Sequence, residues 1–222
     1  MNQYQKGVLD FDNIDEVIGE HKKEIQDLYL QDKMPWVIGY SGGKDSTAIT
    51  QLIWLALKDL PEEKRHKDVW VITTDTLVEN PIVAQWVNYS LEIMDKNAQK
   101  EKLPIYTKLL TPPVKDSFWT NLIGKGYPAP RHGFRWCTNR LKIDPVSAFV
   151  ETFKEEDQQV IIVIGARKAE SNVRAGVLKK RENTGLRKNL SQHNTMSNAL
   201  VYAPIKEWDN DDVWLFLMEK TN

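Results

Sequence analysis

Apolar positions recur at helical spacing from the start of the chain. Ile14, Val17, Ile18, Ile25 and Leu28 predict one amphipathic helix within residues 12–30, with His21 on its apolar face as a packed histidine. From residue 36 onward the pattern alternates between short apolar runs and longer stretches of helical period. Trp36–Tyr40, Val69–Thr74, Ile105–Leu110, Val160–Gly165 and Val201–Pro204 read as strands. Helices are expected over Ser46–Lys58, with Ile49, Leu52, Ile53 and Ala56 inward, and over Glu79–Lys100, with Val83, Trp86, Val87, Leu91 and Met94 on one stripe. A short helix is expected at Lys115–Ile123 and a loop at Gly124–Gly133. A further helix spans Leu141–Phe153, interrupted near Pro145, and the last one covers Asn210–Met218. Pro61–Asp68 and residues 166–198 are polar and read as loops.

Strands that alternate with helices imply crossover units and a Rossmann-like α/β fold. The expected core is a parallel sheet of about five strands with helices on both faces. The fully apolar run Val160–Ile164 suits a strand covered on both sides. Residues 1–34 read as an N-terminal helical extension and 35–222 as the nucleotide-binding domain. That domain reads as truncated, because a helix with an acidic first turn ends at Glu219–Asn222 with no further element. In such sheets ligands bind outside the carboxyl ends of the strands. The polar segments there are Ser41–Ser46, Asp75–Asn80 and Ala166–Arg174.

Composition narrows the class. The net charge of −1 over 222 residues gives no bulk attraction for nucleic acid or membrane. The N-terminus carries no signal-peptide core, and the run at 160–164 is far too short to span a bilayer, so a cytoplasmic protein without membrane contact is expected. Cys137 is the single cysteine, which excludes a disulfide within the chain. His66, His132 and His193 show no zinc spacing, and no nucleophile elbow is present.

Residues 36–46, WVIGYSGGKDS, carry the chemistry. A strand ends in Ser41-Gly42-Gly43-Lys44-Asp45-Ser46 and a helix follows at once. Two glycines let backbone approach a polyanion, helix N–H groups point at it, and Lys44 adds positive charge. The common P-loop would place glycine at 38 and a hydroxyl at 45, where Ile38 and Asp45 stand. The hexapeptide instead resembles the pyrophosphatase loop (PP-loop) of enzymes that cleave ATP between the α- and β-phosphates.

Four segments in order resemble the phosphoadenosine-phosphosulfate-reductase-like branch of that superfamily. They are SGGKDS at 41–46, TTDTLVENP at 73–81, RWCTNRLKIDP at 135–145 and GARKAESNVR at 165–174. FWTNLIGKGYPAPR and FRWCTNRLKI narrow the resemblance to the DndC-type sulfurtransferases of bacterial DNA phosphorothioation, a defence-linked modification in which sulfur replaces a non-bridging phosphate oxygen. The resemblance runs from residue 35 to 216. It implies ATP and Mg²⁺, a cysteine desulfurase as sulfur donor, the other phosphorothioation proteins and DNA as partners, and an iron–sulfur cluster. A cluster takes about four thiolates, so with Cys137 alone it requires cysteines outside this chain.

The candidate ATP site therefore comprises Tyr40, Ser41, Gly42, Gly43, Lys44, Asp45 and Ser46, with Asp75, Gly165 and Arg167. Lys44 would neutralise charge on the leaving pyrophosphate. Asp45 would hold Mg²⁺, fix the loop or cap the helix. Asp75 would contact ribose or adenine, or close a local turn. Arg167 would bridge the α-phosphate and the acceptor, with Arg135, Glu170, Ser171 and Arg174 as further acceptor contacts; the alternative is a solvated loop. Guanidinium charge and a helix start would lower the Cys137 thiol pKa, yet composition alone favours a buried small side chain there; the RWCTNRLK resemblance reverses that and implies a sulfur carrier or cluster ligand. The basic excess within 167–188 suits a DNA backbone or plain solvated surface. Two rival functions remain. One is an adenylyl-sulfate or phosphoadenylyl-sulfate reductase, which needs a nucleophilic cysteine after Cys137. The other is a non-catalytic nucleotide-sensing scaffold.

Overall fold

The computed structural model describes residues 7–10, 12–155, 159–171, 175–179 and 189–220. Helix α1 (Ile14–Leu30) precedes strand β1 (Trp36–Gly39), helix α2 (Lys44–Lys58), strand β2 (Val69–Thr74), helix α3 (Pro81–Lys100) and strand β3 (Ile105–Leu110). A helical turn, α4 (Trp136–Thr138), leads through a π turn (Asn139–Ile143) into α5 (Asp144–Glu155) and strand β4 (Val160–Val163). A short turn of helix, α6 (175–179), strands β5 (Leu190–Gln192) and β6 (Ala199–Tyr202), and helix α7 (Asn210–Lys220) follow.

The strands form one sheet of six in the order β3-β2-β1-β4-β6-β5, parallel except that β5 runs antiparallel to β6. The expected α/β sheet is present, with one more strand than expected. β5 lies in the stretch read as loop, because three residues with a single apolar side chain show no alternation. Pairing of Leu190 with Tyr202 and burial of Leu190 and Ser191 make it a strand. Lys115–Ile123 forms a 3₁₀ turn (Val114–Asp116) and a π turn (Thr120–Gly124) rather than one short helix. Near Pro145 the helix is widened rather than broken. Pro145 has no N–H to give one turn back, and the π turn directly before it, closed by the Asp144 N–H on the Asn139 carbonyl, absorbs the mismatch.

Alternation along β1 sends its side chains to two cores. Trp36, Ile38 and Tyr40 face α1, α2 and α7, while Val37 joins Ile72, Val160 and Ile162 against α5. Ile25, Ile49, Leu52 and Ile53 are fully buried on the first side, and burial of each such side chain contributes about 1.5–3 kcal/mol. In α3 only Val87 and Leu91 of the expected inward stripe are buried; Val83 and Trp86 are exposed. No described helix is long and apolar enough to cross a membrane.

Chain direction places the site. The path β1-β2-β3 moves outward on one side, and β4 then joins β1 on the other. Crossovers therefore diverge between β1 and β4, which opens a crevice at the carboxyl ends of those strands.

Candidate nucleotide site

The loop after β1 turns sharply at Gly42, with φ +72°, and a Cβ there would meet Val87 Cγ2 of α3 at 2.9 Å. Glycine is required on both counts, since a side chain would be strained and would clash. Two hydroxyls brace the loop from inside. Ser46 Oγ donates to the Gly43 carbonyl at 2.9 Å and accepts the Ser41 N–H at 3.2 Å, and Ser41 Oγ lies 3.2 Å from Ser46 Oγ. The first α-helical bond of α2 runs from the Thr47 N–H to the Gly43 carbonyl at 3.0 Å. Gly43 provides no side-chain cap, which leaves the first N–H groups of α2 available to an anion.

Gly165, just past β4, closes the crevice from the other side. A Cβ on it would lie 3.1 Å from the backbone C and O of Asp45. Two residues on, Arg167 is buried and donates its Nε–H to Asp45 Oδ1 at 2.8 Å, while Lys44 Nζ lies 3.3 Å from Asp45 Oδ2. Both Asp45 oxygens thus face cations, which fits loop-fixing. The arrangement does not offer Mg²⁺ a free carboxylate. Glu170 accepts the Arg167 N–H at 3.5 Å, and exposed Ser171 accepts the Ala175 N–H through its carbonyl. Arg174 and most of the basic run at 167–188 lie outside the described residues.

Beside the loop a cavity of about 900 Å³ opens over the carboxyl ends of β1, β2 and β4. Its floor is apolar (Val37, Ile72, Ile162, Ile164), and α3 and α5 wall it with Val83, Val87 and Val146. Polar groups ring it: Ser41, Asp75, Glu79, Asn139 and Lys142. Asp75 stands at the cavity and closes the local turn. It lines the cavity, and its Oδ1 accepts the Leu77 N–H at 2.8 Å in a local turn. Tyr40 reaches the cavity while its side chain belongs to the buried core. Lys142 and Glu79, 3.4 Å apart, join the π turn to the start of α3 across this space. Neither was singled out from the sequence, although each lies inside a quoted motif, TTDTLVENP and RWCTNRLKIDP. The β5–β6 turn also contributes, through His193 to Met196.

Cys137 and Arg135 do not line the cavity. Cys137 is half-buried on α4, next to buried Trp136 and two residues before the cavity-lining Asn139. Among the described residues no three His, Cys, Asp or Glu side chains gather to hold a metal, and one thiol does not fit an iron–sulfur cluster.

A doubly wound sheet with a glycine-bent anion loop at its switch point, beside an apolar cleft ringed with polar groups, defines a nucleotide-binding α/β domain. Residues 35–221 match the phosphoadenosine phosphosulfate reductase domain, and the chain belongs to that family. It is 31% identical over 196 residues to an uncharacterised protein of Methanocaldococcus jannaschii, covering 88% of this chain and 34% of that one. The chain thus spans about a third of the length of the curated relative it matches. Among solved structures it resembles the U34-tRNA thiolase NcsA of Methanococcus maripaludis with its 4Fe–4S cluster (TM-score 0.54, 18% identity, 92% of this chain and 64% of that one). It also resembles phosphoadenylyl-sulfate reductase of Candida auris in a phosphate complex (0.52, 15%, 95% and 87%) and FMN adenylyltransferase of Candida glabrata (0.51, 12%, 97% and 60%). At these identities the likeness is one of fold.

Proposed function

We propose that this chain is an ATP pyrophosphatase domain serving a sulfurtransferase of DNA phosphorothioation. The observation that carries the reading is the Ser41–Ser46 loop, which opens α2 at the β1/β4 switch point beside an apolar cleft large enough for a nucleoside. In this reading adenine lies on the floor of Ile72, Ile162 and Ile164, and the ribose meets the polar ring near Asp75. The loop N–H groups and Lys44 hold the β- and γ-phosphates. An acceptor oxygen, taken to be a DNA phosphate, attacks the α-phosphorus. The bond from that phosphorus to the β-bridging oxygen breaks and pyrophosphate leaves, its charge met by Lys44 and the α2 N-terminus. A persulfide on Cys137, loaded by a cysteine desulfurase, then attacks the adenylated phosphorus through its terminal sulfur and AMP leaves. A second thiol, from a thiol reductant, attacks the Cys137 sulfur, forms a disulfide with it and releases the phosphorothioate, with the other phosphorothioation proteins as partners. Arg167 acts through Asp45, holding the loop in register.

The test is the product of ATP turnover. With α-³²P-ATP the labelled product should be AMP, with pyrophosphate released, and Lys44→Ala should lower the rate by about 10²- to 10³-fold. Labelled ADP would rule the reading out. Unchanged ATP binding with no turnover by the wild type in any partner mixture would favour the nucleotide-sensing scaffold.

A further inference from the structure

The connection between β3 and α5 carries a charge pattern of which only Lys142 lines the nucleotide cavity. Lys115, Lys125, Arg131, Arg135, Arg140 and Lys142 stand there with one carboxylate, Asp116, in a chain whose net charge is −1. Lys125 and Arg140 share Asp116 at 2.9 and 4.0 Å, Arg140 also lies 3.7 Å from Asp144, and Lys142 meets Glu79. Lys115, Arg131 and Arg135 are exposed and form no ion pair among the described residues.

Aromatic side chains interleave with these cations, and one of them organises the segment. Buried Trp136 stacks on Phe118 at 5.4 Å and 24°, meets the edge of Tyr127 at 5.5 Å, and donates its indole N–H to the Pro128 carbonyl at 2.9 Å. That hub ties the start of the connection to its end. Around it Trp119 is 57% and Phe134 42% exposed. Arg131 and Phe134 exchange backbone hydrogen bonds at 3.2 and 2.9 Å across His132-Gly133, a pairing that projects both side chains from one face. The same segment runs on into the cavity, which Asn139, Lys142 and Ile143 line.

Unpaired cations beside exposed rings match a polynucleotide whose bases are free to stack. Backbone phosphates take the guanidinium and ammonium groups, and ring faces take bases without regard to sequence. A duplex offers phosphates but keeps its bases stacked inside, so Trp119 and Phe134 would find no partner there. We propose that residues 115–142 bind an unpaired stretch of DNA. Lys115, Arg131 and Arg135 hold phosphates, Trp119 and Phe134 stack bases, and the strand leads along α4 toward the mouth of the nucleotide cavity. The choice of DNA rests on the acceptor assigned under the proposed function.

Fluorescence anisotropy with one labelled sequence as single-stranded DNA, duplex DNA and single-stranded RNA, across a salt series, tests this on the 222-residue chain. Single-stranded DNA should bind tightest. Trp119→Ala should weaken it by about 5- to 100-fold and leave duplex binding unchanged. Arg131→Gln with Arg135→Gln should reduce the single-strand salt slope by about 1.4. All three positions are exposed, so circular dichroism and Tm should match the wild type. Equal or tighter duplex binding, a preference for RNA, or indifference to Trp119→Ala overturns the proposal. A wild type that forms AMP from ATP yet binds no oligonucleotide overturns it while sparing the ATP reading. Oligonucleotide binding as expected, with ADP as the ATP product, supports this surface and overturns only the ATP reading.

Discussion

Gly42 carries two constraints in one residue: φ of +72° and the pressure of Val87 Cγ2 on the place a Cβ would take. Gly42→Ala should lower stability by about 1–3 kcal/mol, combining left-handed strain with overpacking. Adding Val87→Ala removes the clash and leaves the strain. The double variant should therefore regain loop function, read as AMP formation, while adding the cost of its own small cavity in α3. Urea melts of both variants separate the terms; a Gly42→Ala protein within 0.5 kcal/mol of wild type by the usual scatter of surface changes would show that the loop simply moves. The need for glycine here was legible, because strand, hexapeptide and helix stand side by side in the chain. The partner of Asp45 was not. Arg167 lies 122 residues away, and only the β1–β4 adjacency brings them together. Composition offers many arginines, and nothing local says which one turns inward.

At the scale of elements, legibility follows length. Long apolar runs and long helices announced themselves, while β5 and the two π turns did not, since each is five residues or fewer and is decided by its neighbours. The N-terminal end of α7 is a case where local and distant demands meet. Asp209 Oδ1 accepts the N–H groups of Asp211 and Asp212 at 2.8 and 2.9 Å, an N-cap readable from an acidic first turn. Asp212 itself is buried, and its carboxylate accepts from Leu9 at 2.7 Å, Val8 at 3.1 Å and Asp209 at 2.8 Å. It fastens the segment before α1 to the last helix, and no sequence signal marks that role. Asp212→Ala would strand three N–H donors and should cost about 1–3 kcal/mol. Amide exchange should accelerate at Val8, Leu9 and Asp209 first. Uniform acceleration across the sheet would mean that Asp212 supports the global fold instead of one clasp.

For the whole molecule, closure depends on α1, which shares one core with β1, α2 and α7. Two polar contacts tie it to the carboxyl-terminal part: Tyr202 Oη donates to Glu24 at 2.7 Å, and the Trp208 indole N–H donates to His21 Nε2 at 3.1 Å. The second contact needs a neutral imidazole, protonated on Nδ1 and accepting on Nε2. Burial lowers the His21 pKa from its ordinary 6.5, with Glu24 and Glu20 opposing that shift in part. The unfolded chain therefore takes up the His21 proton as pH falls through about 6.5, while the folded protein resists until a lower pH. In that window the unfolded state binds more protons, so stability is full above about pH 6.5 and declines as pH drops toward the folded value. Below the folded value this residue adds no further slope. His21→Gln keeps an acceptor for Trp208 and removes the titration. Its Tm should therefore fall less than that of the wild type between pH 7.5 and 5.5, although the wild type has the higher Tm at pH 7.5. Parallel Tm curves for the two proteins would show that Trp208 and His21 separate without cost, and that α1 is held by its apolar face alone.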